Sequence, residues 1–171
     1  NLALLRFDAE RAEIWLDVSE FHQQIGLADQ HPHPKSEPCP QCVQALRMAA
    51  GLYRGAFLAG FNLRDSPGFD DWQSFQAGLF QREVEGILKR LVLALQVNGD
   101  SETALEYANR WSALNALDEE AHRQVMQLFF LRGERHAALR QYHECERLLR
   151  DELGTMQEAE TVRLYQRIQN G

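Results

Sequence analysis

Apolar side chains recur along most of this chain at the three- and four-residue steps of an amphipathic helix. After Asp17 the set Val18, Phe21, Ile25 and Ala28 lies on one helical face, and Asp17 with Glu20 has the spacing of a capping box. The prolines that follow end this helix. A second helix is predicted from about Pro40, with Val43, Leu46, Ala50 and Tyr53 on one face and Gly55 as its stop. Ser66-Pro67 then opens a long third helix, a capping hydroxyl followed by a residue suited to the first helical turn, and the pattern carries it to Gly99. Before Asp17 the pattern is different. LALLRF and AEIWL are short bulky runs separated by polar DAER, which predicts two short strands or an extended lead-in over residues 1–16.

From Asn98 the chain repeats itself. NGDSETALEYANRW (98–111) falls over RGERHAALRQYHEC (132–145) with a constant offset of 34 residues, so that Gly99 meets Gly133, Ala104 meets Ala138 and Leu105 meets Leu139. The flanking helices keep the register, Leu91 with Val125, Leu95 with Phe129 and Leu114 with Leu148. A glycine ending one helix, a tight turn and a small alanine where the next helix crosses make a helix-turn-helix unit, and 34 residues is the tetratricopeptide period. Two positions carry bulkier groups than such repeats usually hold: Val92 and Met126 in the first helix, Trp111 and Cys145 in the second. Gly154 then stops a helix, and Thr155 with Glu158 predicts a capping box for a last one. The expected fold is all-α, a tetratricopeptide-like antiparallel helical repeat array behind a short extended or β N-terminal lead-in.

Composition narrows the function. An apolar fraction of 44% and 171 residues suffice for one core without disulfide staples, and no apolar run nears the roughly 20 residues that cross a bilayer. The N-terminus has neither an initiator Met nor the basic start and apolar centre of a signal peptide, so the sequence reads as a piece of a longer cytoplasmic chain. Eighteen basic and 25 acidic residues give a net charge of −7, with the cations scattered among carboxylates. A phosphate backbone is repelled on average, which points any nucleic-acid contact to a neighbouring domain.

One stretch stands apart from the helical pattern. HPHPKSEPCPQC (31–42) holds two of the six histidines, two of the three cysteines and four of the five prolines. His31, His33, Cys39 and Cys42 are candidate ligands for one structural zinc ion, because Cys-x-x-Cys turns both sulfurs to one point and His-x-His in an extended segment aims both rings to one side. A proline-stiffened linker with two thiols accounts for the same composition without metal, and redox chemistry at the Cys pair is a third reading. Elsewhere His136, His143, Glu144 and Cys145 sit close in sequence, but Cys145 shares a stripe with Ala138, Tyr142 and Leu149 and reads as a buried small hydrophobe. No phosphate loop, nucleophile elbow or zinc-protease pair is present in the sequence, and no catalytic residues are assigned. The aromatic set Trp72, Phe75, Phe80, Tyr107, Trp111, Phe129, Phe130 and Tyr142 reads as core in preference to a peptide groove, and Phe57, Leu58 and Phe61 as tucked under the long helix.

GLYRGAFLAGF (51–61), Trp72, the two 34-residue units, LDEEAHRQVMQLFFLRG, AALRQYHECERLLRDELG and ETVRLYQRI together resemble the bacterial transcriptional activator domain of SARP-like (antibiotic regulatory protein type) regulators. The resemblance spans nearly all of Ile14 to Ile168, and departs where proline is usual, at Ala116 and around Met156. It implies a winged-helix DNA-binding domain upstream, with residues 1–16 as the junction leaving it and 17–171 as the helical domain. It further implies a non-enzymatic role in the cytoplasm, through contacts to that domain, to a second copy or to RNA polymerase, with no direct DNA or membrane binding by this part. A free-standing repeat scaffold binding a peptide is the alternative, which the sequence upstream distinguishes.

Overall fold

The computed structural model describes residues 15–32 and 39–171. Among them there is no strand, and seven helices run α1 (Asp17–Gln30), α2 (Pro40–Leu52), α3 (Pro67–Val97), α4 (Ser101–Leu114), α5 (Glu119–Leu131), α6 (Arg135–Leu153) and α7 (Ala159–Asn170). Each packs on the next in chain order, and α5 also touches α7, which makes the domain an all-α helical repeat array. The extended or β lead-in expected over residues 1–16 lies outside the described residues except for Trp15 and Leu16, and Leu16 has extended backbone.

The 34-residue repeat is visible in the backbone bonds themselves. At the end of α3, the N–H groups of Asn98, Gly99 and Asp100 donate to the carbonyls of Ala94, Gln96 and Leu95 at 3.2, 3.1 and 2.9 Å. At the end of α5, Arg132, Gly133 and Glu134 donate to Leu128, Phe130 and Phe129 at 3.2, 3.0 and 2.8 Å. Gly99 and Gly133 take φ of 76° and 77°, the left-handed conformation that lets the last helical carbonyls be satisfied within a tight turn. Ala104 and Ala138 follow, both fully buried, as close helix packing requires. The bulkier positions stay inside: Val92, Met126, Trp111 and Cys145 are all buried.

Two apolar cores result. The larger joins α1 to α5 through Phe21, Leu46, Leu88, Leu91, Trp111 and Val125 among others. The smaller holds Met126, Ala138, Tyr142, Leu164 and Ile168 between α5, α6 and α7, and Phe129 packs against both.

Four helix ends differ from the local signals. Ser66 holds the N-cap position of α3, but its hydroxyl makes no capping bond. Asp17 is the first residue of α1, with Leu16 in the capping position and no side-chain cap, while Glu20 accepts instead from Gln24 at 2.6 Å. Helix α2 stops at Leu52, three residues before Gly55, because Arg110 of α4 donates to the carbonyls of Ala50 and Tyr53 at 2.7 and 2.5 Å and so satisfies the helix end from outside. Helix α7 starts at Ala159 without a Thr155–Glu158 capping box. Its first turn is capped by Glu119 of α5, whose carboxylate accepts from the Glu158 N–H at 2.8 and 3.0 Å and from the Thr161 hydroxyl at 2.6 Å.

Candidate functional site

Three of the four sequence-predicted metal ligands meet where α1 hands over to α2. His31 follows the last residue of α1, Cys39 is the N-cap of α2, and Cys42 lies in its first turn behind Pro40. One ligand atom from each falls within 4.8 Å of the other two. Cys39 Sγ is 3.6 Å from His31 Nδ1 and accepts the Cys42 N–H at 3.3 Å, as a thiol at a helix start does when it takes up one of the unpaired amides. The far nitrogen of the same imidazole, Nε2, is 2.9 Å from Gln41 Oε1, and the Cys42 thiol donates to the Ala28 carbonyl at 3.6 Å. Burial pushes the Cys42 thiol up, and the neighbouring Cys39 thiol adds to the shift. His31, Cys39 and Cys42 are the described residues that could hold a metal ion; His33 lies outside the described residues.

A second feature occupies the end of the array where Trp15 enters. A cleft of about 390 Å³ is lined by Trp15, Val18, Phe21, Tyr53, Phe57 and Phe80 among others. Phe57 is half-buried against Trp72 and Phe80, with ring centroids 5.7 and 5.0 Å away, as expected for a residue under the long helix. Leu58 and Phe61 are not tucked in: both are exposed, Leu58 with φ of 52° and its carbonyl held by Gln73 at 2.7 Å. Phe69 links Phe61, which it meets edge-on, to Trp72, which it meets at a tilt. Of the eight aromatics assigned to the core, Trp111 and Tyr142 are buried and Phe80, Tyr107, Phe129 and Phe130 half-buried, whereas Trp72 and Phe75 are 46% and 61% exposed. Both lie in the N-terminal third of α3, which at thirty-one residues is far longer than the thirteen-residue α2.

The histidine and cysteine group of α6 does not form a reactive site. His136 and His143 face solvent, while burial pushes the Cys145 thiol up to about 12. Arg147 bonds both oxygens of Glu144 at 2.7 and 3.1 Å and holds that carboxyl below its ordinary range. The buried histidine is one that the sequence reading passed over, His122 of α5. Its Nε2 lies 3.0 Å from the Ala116 carbonyl and its Nδ1 2.6 Å from Gln141 Nε2, so both ring nitrogens are used in fixing the α4–α5 turn to α6. A polar residue in an otherwise apolar helical stripe is the signal that could have found it.

Among the described residues no helix is long and apolar enough to cross a membrane. A family model described as "Bacterial transcriptional activator domain" matches residues 16–169. No curated protein and no solved structure matches the chain.

Proposed function

The chain belongs to the bacterial transcriptional activator domain family, and on that premise we propose that it is the protein-contact module of a transcriptional regulator, which positions a winged-helix DNA-binding domain and supports contacts to a second copy or to RNA polymerase. The observation that carries this reading is the family match over nearly the whole helical array. Charge agrees with it, since a net −7 opposes approach to phosphates and leaves protein contact as the domain's contribution. The surface offered for the winged-helix domain is the end of the array bearing Trp15, Leu58, Phe61, Trp72 and Phe75, all exposed. Large aromatics held at a rim supply the contact area that interfaces draw on most. A domain upstream of the 1–16 junction is also tethered to the chain at that rim, and the tether raises its effective concentration there. The regulator would work in the bacterial cytoplasm, where its promoter is.

The test uses the full-length regulator. Phe75→Ser should lower promoter-driven transcription several-fold, while the same change leaves the helicity and melting temperature of the isolated domain nearly unchanged, because that side chain is 61% exposed. Unaltered transcription, or a reading frame with no DNA-binding domain, overturns the proposal.

A further inference from the structure

We propose that His31, Cys39 and Cys42 form a structural zinc site that ties the end of α1 to the start of α2. This goes beyond the reading as a regulator and does not depend on it. Zinc bonds of about 2.3 Å to sulfur and 2.0–2.1 Å to nitrogen put neighbouring ligand atoms of a tetrahedron roughly 3.5–3.8 Å apart. The His31 Nδ1 to Cys39 Sγ separation is 3.6 Å, and the full triad lies within 4.8 Å, so closing it on an ion takes side-chain rotations and no rearrangement of helices.

The surroundings suit the ion as well as the distances do. With its Nε2–H donated to Gln41 Oε1, the His31 imidazole presents an unprotonated Nδ1 toward Cys39, the arrangement in which an outer hydrogen bond fixes the tautomer of a metal-bound histidine. The Cys42 N–H already points at Cys39 Sγ, and the first turn of a thirteen-residue helix stabilises sulfur carrying negative charge. Two thiolates and an imidazole select zinc over magnesium or calcium, which take oxygen donors. On binding, the ion replaces the two thiol protons, which pass to solvent. The fourth vertex takes whatever donor is nearest, water included, and the test does not depend on it. Helices α1 and α2 are joined across a proline-rich connection, and the ion would fix their register there.

Tag-free protein purified under reducing conditions without chelator should carry close to one zinc per chain by elemental analysis. Stripped protein titrated with Co²⁺ should develop the visible bands of a tetrahedral ion and the near-ultraviolet charge transfer of cobalt–thiolate bonds. Cys39→Ser, Cys42→Ser and His31→Ala should each abolish or strongly weaken the signal, Cys145→Ala should leave it, and Gln41→Ala should weaken Co²⁺ binding roughly 10–100-fold through the lost outer hydrogen bond. Should Cys42→Ser fail to fold, the half-buried His31 and exposed Gln41 carry the comparison, with the circular dichroism of each variant as the check on folding. Less than a tenth of a zinc per chain with no cobalt spectrum overturns the site. So does a cobalt spectrum that survives His31→Ala and Cys39→Ser, and so does a Cys39–Cys42 disulfide as the stable species under reducing conditions.

Discussion

Replacing Glu119 by Ala should loosen the last helix although the mutated residue belongs to another. Two acceptor contacts are lost at once: the one to the Glu158 N–H, which is exposed and can turn to water, and the one to the hydroxyl of Thr161, which is fully buried and cannot. The first costs about 0.5–1 kcal/mol, as for other exposed N-caps. The second leaves a buried hydroxyl proton without an acceptor, about 1–3 kcal/mol, while Arg123 still donates to the same oxygen at 3.0 Å. Loss of a carboxylate from the first turn of α5 and the better helix propensity of Ala roughly cancel. The sum is about 1.5–4 kcal/mol, a fall in melting temperature of roughly 3–16 °C for a domain this size. Urea denaturation gives the free energy, and amide exchange locates it: protection should fall first across the start of α7, since Leu164 and Ile168 lose the anchor that presents them to Met126, Ala138 and Tyr142. Thr161→Val removes the hydroxyl from the other side, so the double variant should cost at least 1 kcal/mol less than the two single costs added. An effect of Glu119→Ala below about 0.5 kcal/mol, or strict additivity with Thr161→Val, refutes the tertiary cap.

Gly99→Ala and Gly133→Ala should each cost about 1–2 kcal/mol by denaturant melts and agree within a few tenths, because no atom lies near the added methyl at either turn and only the left-handed backbone is penalised; unequal costs would break the structural repeat. Ala138→Arg, which places a charge at a fully buried position, should cost several kcal/mol, and an unchanged melting temperature would show the alignment of repeats to be wrong. The Cys145 thiol ionises near 9.0 when solvated and near about 12 in the folded domain, so its stabilising contribution is whole below pH 9 and lost as pH rises toward 12. Between those limits the stability of the wild type should fall more steeply with pH than that of Cys145→Ala, and parallel curves would contradict the burial of that thiol. The isolated domain should not shift duplex promoter DNA at physiological salt, and tight, salt-dependent binding would contradict the charge argument.

The repeat was legible because it is written in residues whose local conformation admits few alternatives: Gly99 and Gly133 at left-handed turns, Ala104 and Ala138 at close crossings. Pro40 and Pro67 likewise marked helix starts to the residue. Helix ends fixed by distant side chains were not legible. Nothing near Tyr53 announces Arg110, nothing near Leu114 announces Gln81, which donates to its carbonyl at 3.1 Å, and the cap of α7 comes from Glu119. Such caps depend on which helices lie side by side, which the local pattern does not contain. The exposed Trp72 and Phe75 failed the core assignment for a related reason: helical spacing places them on a face, and whether a neighbour covers that face depends on α2 being thirteen residues long and α3 thirty-one. Of the candidate metal ligands, spacing brought out His31, His33, Cys39 and Cys42 together, while the meeting of His31 with the two cysteines depends on the direction in which α1 ends.

Stacking each helix on its predecessor has a consequence for synthesis. A helix leaving the ribosome finds its partner already made, so structure can be laid down from the N-terminal end as the chain lengthens, and contacts close in sequence keep the search short. Helix α7 reaches back past its immediate neighbour, to α5, and it is the last of the seven helices to emerge. Until it does, Met126, Ala138 and Tyr142 lack their cover, and the nascent domain is sticky at one end. Packing of α7 covers that end in a single step, so the last of the seven helices is the one that makes the domain safe to expose to its neighbours.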